Sequence, residues 1–351
     1  MKWIVVGAGA ALVIIAVVLV LIFTVYLPLE AERNAREGKV LWQEGRYTDA
    51  LAKCSKAIKF DSKLSDAYAT RGVTYAEMHQ NEKGLKDCNR AIRLDQNSSY
   101  AYACRAVVYA IHGELGKALA DCNKALKLDR KNSYAYSMRS GVYSAQGDKV
   151  NALRDADKAI ELSPKSALAY ISRGAVYGSQ GDYNKEIDDD TKAIGLDPGC
   201  VRAYGKRATC YGCQGNYSKA IAEDTKVIEI NPTDADAYYN RGLAYGCQGD
   251  NDKDIADCNK VIELEPTHAD AYIYRGLAYC GQGDYDKAIA DCNKAIELGS
   301  TNSLAYQTRG LAHRQQGDTQ EAIGDFEKAL ELNPNNADAR SDLENLGVSP
   351  Q

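Results

Sequence analysis

The residues best suited to chemistry in this chain are its cysteines, histidines and acidic clusters. Cys210 and Cys213 have the C-x-x-C spacing of a redox or metal half-site, but no second pair at zinc-finger spacing and no neighbouring histidine accompanies them. The four histidines are scattered, and no H-E-x-x-H sequence, phosphate-binding loop, nucleophile elbow or kinase signature is present. Asp188, Asp189 and Asp190 point in different directions on a helix, so they cannot converge on one metal ion. These patterns predict no enzyme, no metal site and no cofactor.

Most of the eleven cysteines lie at positions typical of a helix core, where a thiol behaves as a small buried hydrophobe. A cysteine-based metal or redox protein stays as an alternative, and it would use Cys210, Cys213, Cys247 and Cys280. The net charge of −5 argues against a basic surface for nucleic acids, so we expect no nucleic-acid partner.

A long apolar segment at the N-terminus predicts a membrane anchor. Residues 3–27 carry no charge, and about 20 apolar residues span a bilayer. The segment is longer than the apolar region of a signal peptide and lacks a following cleavage motif, although a signal peptide is the alternative. We therefore expect residues 1–29 to form an uncleaved single-pass anchor that contacts the membrane through residues 3–27.

Small residues within this segment, Gly7 and Gly9 among them, lack the third glycine of a dinucleotide-binding loop. They could instead let two anchor helices pair into a weak homo-oligomer. Counting only the lysines and arginines that flank the segment favours a cytoplasmic location for the remainder of the chain, whereas the usual behaviour of N-terminal signal anchors favours the opposite. We lean slightly towards an extracytoplasmic, periplasmic location.

A 34-residue period indicates the elements that must position these residues. Tyrosines recur at this interval: Tyr68, Tyr102, Tyr136, Tyr170, Tyr204, Tyr238, Tyr272 and Tyr306. Arginines follow each of them by three residues: Arg71, Arg105, Arg139, Arg173, Arg207, Arg241, Arg275 and Arg309. A glycine column is interrupted only by His79: Gly45, Gly113, Gly147, Gly181, Gly215, Gly249, Gly283 and Gly317. Self-similarity at such a period is the signature of stacked repeats, which work through an extended surface.

Within one period the apolar spacing is helical. Tyr238, Arg241, Gly242 and Tyr245 recur at i, i+3, i+4 and i+7, which is one face of a helix. Gly249 then breaks this helix, because glycine tolerates the backbone angles of a tight turn. The same spacing resumes on a second helix, and prolines follow the second helices at Pro164, Pro198, Pro232, Pro266 and Pro334. Each unit is therefore predicted to be helix, turn, helix, loop.

This pattern resembles the tetratricopeptide repeat (TPR) family. Tyr238, Gly242, Tyr245, Val261 and Pro232 occupy the places of that family's aromatic, small, tyrosine, second-helix and proline positions. Arginine replaces the usual leucine before the small residue, and cysteine often replaces the aromatic residue on the second helix.

The resemblance implies an all-α fold, a right-handed α-solenoid of about nine TPR units preceded by a single transmembrane helix. We expect the solenoid over residues 30–336 and a C-terminal capping helix and tail over 337–351. The units are predicted near 31–64, 65–98, 99–132, 133–166, 167–200, 201–234, 235–268, 269–302 and 303–336.

The arginine column occupies a core-facing place, so each stem should pack while its guanidinium seeks a carboxylate. An acidic column begins at Asp87, sixteen residues after Arg71. We predict that each arginine meets the acid of this column, which would make a polar ladder along the stack.

In the resembled family, the first helices line a concave face that binds peptides or partner helices. The resemblance therefore implies a groove, whose candidate partner-binding residues are Tyr100, Tyr134, Ile171, Arg202, Asp236, Tyr239, Asp270 and Ile273. We predict a membrane-anchored protein–protein interaction scaffold or assembly factor that binds a peptide or helix of partner proteins and catalyses nothing itself. The alternative is a non-catalytic adaptor or regulatory subunit of a secretion, glycosylation or pilus machine.

Overall fold

A computed structural model describes residues 16–349. In this range the chain forms 19 α-helices, a five-residue π-helical segment at Ile22–Tyr26 and no strand. The helices are α1 (Leu27–Glu44), α2 (Tyr47–Phe60), α3 (Ser65–Glu77), α4 (Asn81–Leu94), α5 (Ser99–Ile111), α6 (Leu115–Leu128), α7 (Ser133–Ala145), α8 (Lys149–Leu162), α9 (Ala167–Gly178), α10 (Tyr183–Leu196), α11 (Val201–Cys213), α12 (Tyr217–Ile230), α13 (Ala235–Cys247), α14 (Asn251–Leu264), α15 (Ala269–Gln282), α16 (Tyr285–Glu297), α17 (Ser303–Gln316), α18 (Thr319–Leu332) and α19 (Ala337–Asn345). The prediction of an all-α fold built from helical repeats is confirmed, because odd-numbered first helices alternate with even-numbered second helices.

The helices belong to two compact units, unit 1 (Met1–Lys206) and unit 2 (Arg207–Gln351). Within each, a first helix packs against its own second helix, which in turn packs against the next first helix. In unit 2, α19 packs on α18, and Leu343 is buried there against Phe326. The boundaries at 34-residue steps and the right-handed sense of the stack stay predictions.

The predicted membrane anchor is not supported. Residues 3–15 lie outside the described residues. They contain Gly7 and Gly9, so the suggested pairing of two anchor helices also falls outside the described part of the chain. Between residues 16 and 349, no helix is long and apolar enough to cross a bilayer. The prediction of a single-pass membrane localisation, on either side of the membrane, is therefore wrong.

Short polar side chains begin many of the helices. Ser98 and Asn132 each accept a hydrogen bond from the backbone N–H three residues later, at 3.1 Å, at the start of α5 and α7. Asp234 does the same for α13 at 3.0 Å, and Asp148 for the second helix α8 at 3.1 Å. These caps satisfy one of the backbone donors that every helix start leaves without an intrahelical partner.

The turn inside each helix pair depends on a left-handed backbone. The glycine column has φ between 73° and 89° at Gly45, Gly113, Gly147, Gly181, Gly215, Gly249, Gly283 and Gly317. Residues with a Cβ rarely adopt this conformation. His79, which interrupts the column in the sequence, takes the same conformation with φ of 58°. The turn is therefore kept in that repeat at the cost of local backbone strain.

The predicted arginine–acid ladder is confirmed. Each arginine of the column meets the acid sixteen residues later, in the pairs Arg71–Asp87, Arg105–Asp121, Arg139–Asp155, Arg173–Asp189, Arg207–Glu223, Arg241–Asp257, Arg275–Asp291 and Arg309–Asp325. For Arg105, Nε donates to Asp121 Oδ2 at 2.7 Å and Nη2 to Oδ1 at 2.8 Å. Such two-pronged pairs are the strongest form of this contact.

The ladder also joins successive repeats. Nη1 of Arg105 donates to Asn89 Oδ1 on the preceding second helix at 2.8 Å. Six other arginines make the equivalent bond, to Ser55, Asn123, Asp157, Thr225, Asn259 and Asn293. Because each of these seven guanidinium groups holds both its own second helix and the preceding one, these helix pairs are tied together by polar as well as apolar contacts.

Candidate functional site

The first helices of unit 1 surround Trp42, the bulkiest residue of α1. Trp42 is 1 % exposed and packs in one cluster with Val73, Cys104 and Leu168, which come from α3, α5 and α9. Its ring meets the ring of Tyr134 edge-on, with 5.7 Å between the centroids. The side of unit 1 on which the first helices meet is therefore filled, at this level, by the unit's own N-terminal helix.

Two of the predicted groove residues, Tyr100 and Tyr134, pack beside Trp42 and also line a polar cavity of about 380 Å³ in unit 1. The hydroxyl of Tyr100 lies 3.0 Å from Thr70 Oγ1, and Lys39 Nζ lies 3.8 Å from the centre of its ring. Burial raises the pKa of both phenols well above the usual range. Both tyrosines are thus engaged within unit 1.

Arg202 and Ile171 are also engaged within unit 1. The Nη2 atom of Arg202 donates to Tyr47 Oη at 3.0 Å and, at 3.4 Å each, to the Trp42 carbonyl and to Glu77 Oε1. Its guanidinium lies 5.3 Å from the centre of the Trp42 ring. Ile171 is buried in a separate apolar cluster around Ala193, Cys200 and Ala203. None of these contacts needs a partner protein.

Sequence reasoning missed the role of Trp42, although the sequence carries a signal for it. At the same place in the period, the other repeats have the small or middle-sized residues Ala76, Ala110, Ser144, Gly178, Gly212, Gly246 and Cys280, and Arg314 comes last. A tryptophan in a column of small residues indicates that the space beside that helix is filled from within.

Unit 1 has an apolar groove beyond Trp42. The unit 1 groove has a volume of about 360 Å³ and is lined by Val107, Ile111, Met138, Ile171, Ala175 and Arg202, among others. Ile111 is 39 % exposed at its rim. A larger cavity of about 860 Å³ lies between α1 and α2, but it is rimmed by the charged side chains of α1 and lies away from the other first helices.

In unit 2 the four remaining predicted groove residues differ in exposure. Asp236 is exposed, whereas Ile273 is fully buried with Ala295 and Ala305. The Tyr239 ring packs against His268 and Tyr274, with centroids 5.0 and 5.8 Å apart.

Asp270 accepts a hydrogen bond from Asn302 Nδ2 at 3.1 Å. Asp236, Tyr239 and Asp270 thus lie on a partly accessible surface, whereas Ile273 lies in the core. The assignment of all eight residues to partner binding stays a prediction.

A small pocket opens between the first helices α11 and α13 and the second helix α12 of unit 2. The Asp224 pocket has a volume of about 200 Å³, and its lining includes Asp224, Gly212, Tyr217, Leu243, Ala244 and Cys247. Asp224 is 2 % exposed, and burial raises the pKa of its carboxyl to about 8. Sequence reasoning missed this residue. Its signal is an aspartate in the second-helix column that holds Cys258, Cys292 and Phe326 in the following repeats.

A second buried acid, Asp254, fits because the residue opposite it, Gly246, has no side chain. A Cβ on Gly246 would lie 2.7 Å from Asp254 Oδ2, so the carboxylate occupies the space that an alanine would fill. Cys258 Sγ donates to Asp254 Oδ1 at 3.3 Å, while burial raises the pKa of Asp254 to about 6. Gly178 faces Glu186 in the same way in unit 1. These acids are accommodated by matched glycines rather than assembled around a ligand.

The cysteines proposed for metal or redox chemistry form no disulfide bonds within the described part of the chain, and they differ in burial. Cys210 is buried, Cys213 and Cys247 are exposed, and Cys280 is half-buried with a hydrogen bond to the Thr308 carbonyl at 3.7 Å. Burial raises the pKa of the Cys280 thiol to about 11, which makes it a weak nucleophile at neutral pH. Within residues 16–349, no group of three or more potential ligands could hold a metal ion.

Comparisons with known proteins agree with the repeat architecture. The tetratricopeptide repeat family matches residues 235–268, 269–302 and 303–336, and a further TPR repeat matches residues 213–249. No curated protein sequence matches the chain significantly.

Three solved structures illustrate the similarity. The Cut9–Hcn1 hetero-tetramer of the APC/C is 16 % identical over 88 % of this chain and 54 % of its own, with a TM-score of 0.59. The C-terminal part of a TPR repeat-containing protein from Cytophaga hutchinsonii is 22 % identical over 68 % of this chain and 98 % of its own, with a TM-score of 0.51. MamA is 32 % identical over 47 % of this chain and 96 % of its own, with a TM-score of 0.43. With its 34-residue period, its alternating helix pairs and these family matches, the chain belongs to the tetratricopeptide repeat family.

Proposed function

We propose that this chain is a non-catalytic protein–protein interaction scaffold whose first helices bind a peptide or a helix of a partner protein. Proteins of the TPR family bind protein or peptide partners and are generally non-catalytic adaptors. The proposal extends both properties to this chain and assigns them to two surfaces, the unit 1 groove and the Asp224 pocket with the exposed residues beside it.

The observation that carries the proposal is the exposure of apolar side chains on the first helices. Leu277 on α15 is 38 % exposed, whereas Val73, at the same place in the period, is fully buried in unit 1. Asn240 on α13 is exposed, whereas its counterparts Thr70 and Cys104 are buried. Apolar points beside polar, accessible positions suit the packing of an amphipathic helix or an extended peptide.

The two surfaces differ in chemistry, which favours two kinds of contact. The unit 1 groove is apolar with Lys206 at one side, so it suits an apolar segment that also carries an acid. The Asp224 pocket is apolar around a single carboxyl. A scaffold needs no reacting groups, only surfaces that recognise such segments and hold them near one another.

The test is selection of peptides from a random phage-displayed library on the full chain, followed by affinity measurement for the enriched peptides. Ile111→Asp should weaken peptides that bind the unit 1 groove, and Leu277→Asp those that bind unit 2, by about tenfold or more, since a charge is placed in an apolar contact. Val150→Asp is the matched control, because Val150 is 79 % exposed on the second helix α8.

We expect the control to leave all affinities unchanged. Enriched peptides that are insensitive to both Ile111→Asp and Leu277→Asp would place binding elsewhere and overturn the proposal. A selection that enriches no peptide with an affinity better than about 1 mM would overturn it as well, since that corresponds to only about 4 kcal/mol of binding free energy.

A further inference from the structure

We propose that the Asp224 pocket binds an alkylammonium group and that, within the scaffold function proposed above, this group is the side chain of a lysine in the partner protein. This inference rests on the proposed function for the identity of the ligand's source. The pocket itself is a feature of unit 2 and can be tested separately.

The geometry supplies a buried carboxyl in a small, partly open pocket. Asp224 is the one charged side chain that lines the pocket of about 200 Å³. The walls are apolar where Ala208, Leu243 and Ala244 contribute, and Asn240 and Tyr217 add polar atoms. An aliphatic stem can pack along such walls while its charged end reaches the carboxyl.

Asp224 lacks a partner of its own. Among the residues that the structure describes, no hydrogen bond or ion pair reaches its carboxyl. The neighbouring cations are already used: Arg241 holds Asp257 through Nε at 2.8 Å and Nη2 at 2.7 Å. Arg207 holds Glu223 at 2.7 Å. A buried polar group without a partner is costly, so a ligand that pairs with Asp224 would recover that cost on binding.

The pocket depends on which residues occupy two places of the period, one on the second helix and one on the facing first helix. In the following repeats the place of Asp224 is taken by Cys258, Cys292 and Phe326, and Phe326 fills its site completely. Asp224 cannot fill the same volume. In addition, a Cβ on Gly212 would meet no atom within 4 Å, so the opposite first helix leaves open space there.

A primary ammonium matches this site better than the other cations found in proteins. A divalent metal needs several ligands, and no group of three or more potential ligands occurs in the described part of the chain. A guanidinium presents five donors in a rigid plane and is best satisfied by two-pronged acids, as in the ladder. An ammonium is a compact charge on a flexible stem, which suits one carboxyl among apolar walls.

Binding should depend on pH, because only the ionised carboxyl attracts a cation. Burial raises the pKa of Asp224 to about 8, Arg241 opposes this shift, and further acids add to it. These acids are Glu223 on the same helix, Asp257 on α14 and Asp234 in the loop before α13. The other titratable groups facing the pocket are Cys213, Tyr217 and Cys247. Affinity for a permanently protonated amine should therefore rise about tenfold or more between pH 6 and pH 8.

The experiment is a titration of the full chain, selectively labelled at alanine and leucine methyl groups, followed by NMR. The probes are n-pentylamine and three terminally blocked tripeptides, Gly-Lys-Gly, Gly-norleucine-Gly and Gly-Arg-Gly. We expect pentylammonium and the lysine peptide to shift the methyl signals of Ala208, Leu243 and Ala244, and the norleucine peptide to leave them unchanged. The arginine peptide should bind more weakly than the lysine peptide.

Asp224→Asn should weaken the binding of both amines by at least about tenfold and abolish the rise with pH. Asp188→Asn, which changes an exposed aspartate on the second helix α10, is the matched control and should change nothing. Equal binding of the norleucine peptide, or an affinity of the unaltered protein that does not rise with pH, would overturn the proposal even if Asp224→Asn failed to fold.

The outcomes of the titration and of the phage selection also test the pocket inference and the scaffold function independently of each other. Binding of pentylammonium without the lysine peptide would overturn the assignment to a protein partner. Selected phage peptides that bind unit 2 without involving a lysine would overturn the pocket assignment and leave the scaffold function standing. If the protein binds both amines but selects no peptide, the scaffold function would be overturned and the pocket assignment would stand.

Discussion

In unit 1 the first helices close around Trp42, whereas in unit 2 the corresponding place is held by Gly212, Gly246 and Cys280, and a pocket opens beside Asp224. Both units carry the same arginine–acid ladder and the same left-handed turns. The repeat scaffold therefore does not decide whether a first-helix surface is filled or free. A few side chains of unusual size decide this. A stack of helix pairs leaves the same space in each repeat, and only the residues that enter the space differ.

The first prediction removes the side chain that fills unit 1. Trp42→Ala should lower the free energy of unfolding of unit 1 by about 3–5 kcal/mol, since a fully buried aromatic is lost and a cavity remains. Hydrogen exchange, read by mass spectrometry, should show lost protection in α3, α5, α7 and α9, and unchanged protection in α13 to α17. Val150→Ala is the control at an exposed position. An effect below 1 kcal/mol, or an equal loss in unit 2, would contradict the described packing of Trp42.

The second prediction tests the ladder, which the two units share. Asp121→Asn in unit 1 and Asp257→Asn in unit 2 should each cost about 2 kcal/mol, between the values for exposed and fully buried ion pairs, because a largely buried arginine loses its charge partner. Urea denaturation followed by circular dichroism measures this, with Asp188→Asn as the exposed control. A clear difference between the two variants would mean that the ladder contributes unequally and that the units differ in more than their first-helix surfaces.

The third prediction concerns pH and unit 2. The pKa of Asp224 is raised in the folded chain to about 8, above its unfolded value of about 3.9, so the folded state holds the proton more tightly. This contribution to stability is complete below pH 4 and is lost as the pH rises through 8.

Asp224→Asn should therefore remove about 1–2 kcal/mol of the fall in stability between pH 6 and pH 8. Urea denaturation at a series of pH values provides the measurement, with Asp188→Asn as the comparison. A pH profile that keeps its slope in Asp224→Asn would show that the carboxyl of Asp224 is solvated in the folded chain.

The smallest expected effect comes from a pair of glycines with opposite surroundings. A Cβ on Gly72 in unit 1 would lie 2.9 Å from the Gly84 carbonyl oxygen, whereas one on Gly212 in unit 2 would meet nothing within 4 Å. Gly72→Ala should destabilise by about 1 kcal/mol or more through overpacking. Gly212→Ala should stabilise by about 0.5–1 kcal/mol, because alanine has a higher helix propensity than glycine. Thermal melts of both variants decide this, and the same sign for both would show that space at these positions is not what distinguishes the units.

Much of the fold could be predicted from the sequence because the repeats are local. The tyrosine, arginine and glycine columns define two helices and a turn within about 30 residues, so contacts such as Arg105 with Asp121 follow from the period alone. The membrane prediction was wrong, since no helix between residues 16 and 349 is long and apolar enough to cross a bilayer. The candidate site was predicted less well, because membership of a first-helix position does not tell which of Ile273, Tyr239 and Asp236 remains accessible.

By itself the sequence determined the helix pairs, their turns and the ladder that ties them, since these depend on residues within one period or the next. Only the tertiary structure decided that Trp42 enters the space between the first helices of unit 1, where Arg202 contacts it from 160 residues away. It also decided that Asp224 lines a pocket without an ion-pair partner among the described residues. Both results depend on which side chains fill the space between distant helices, and that balance of volume and charge is not a local property of the chain.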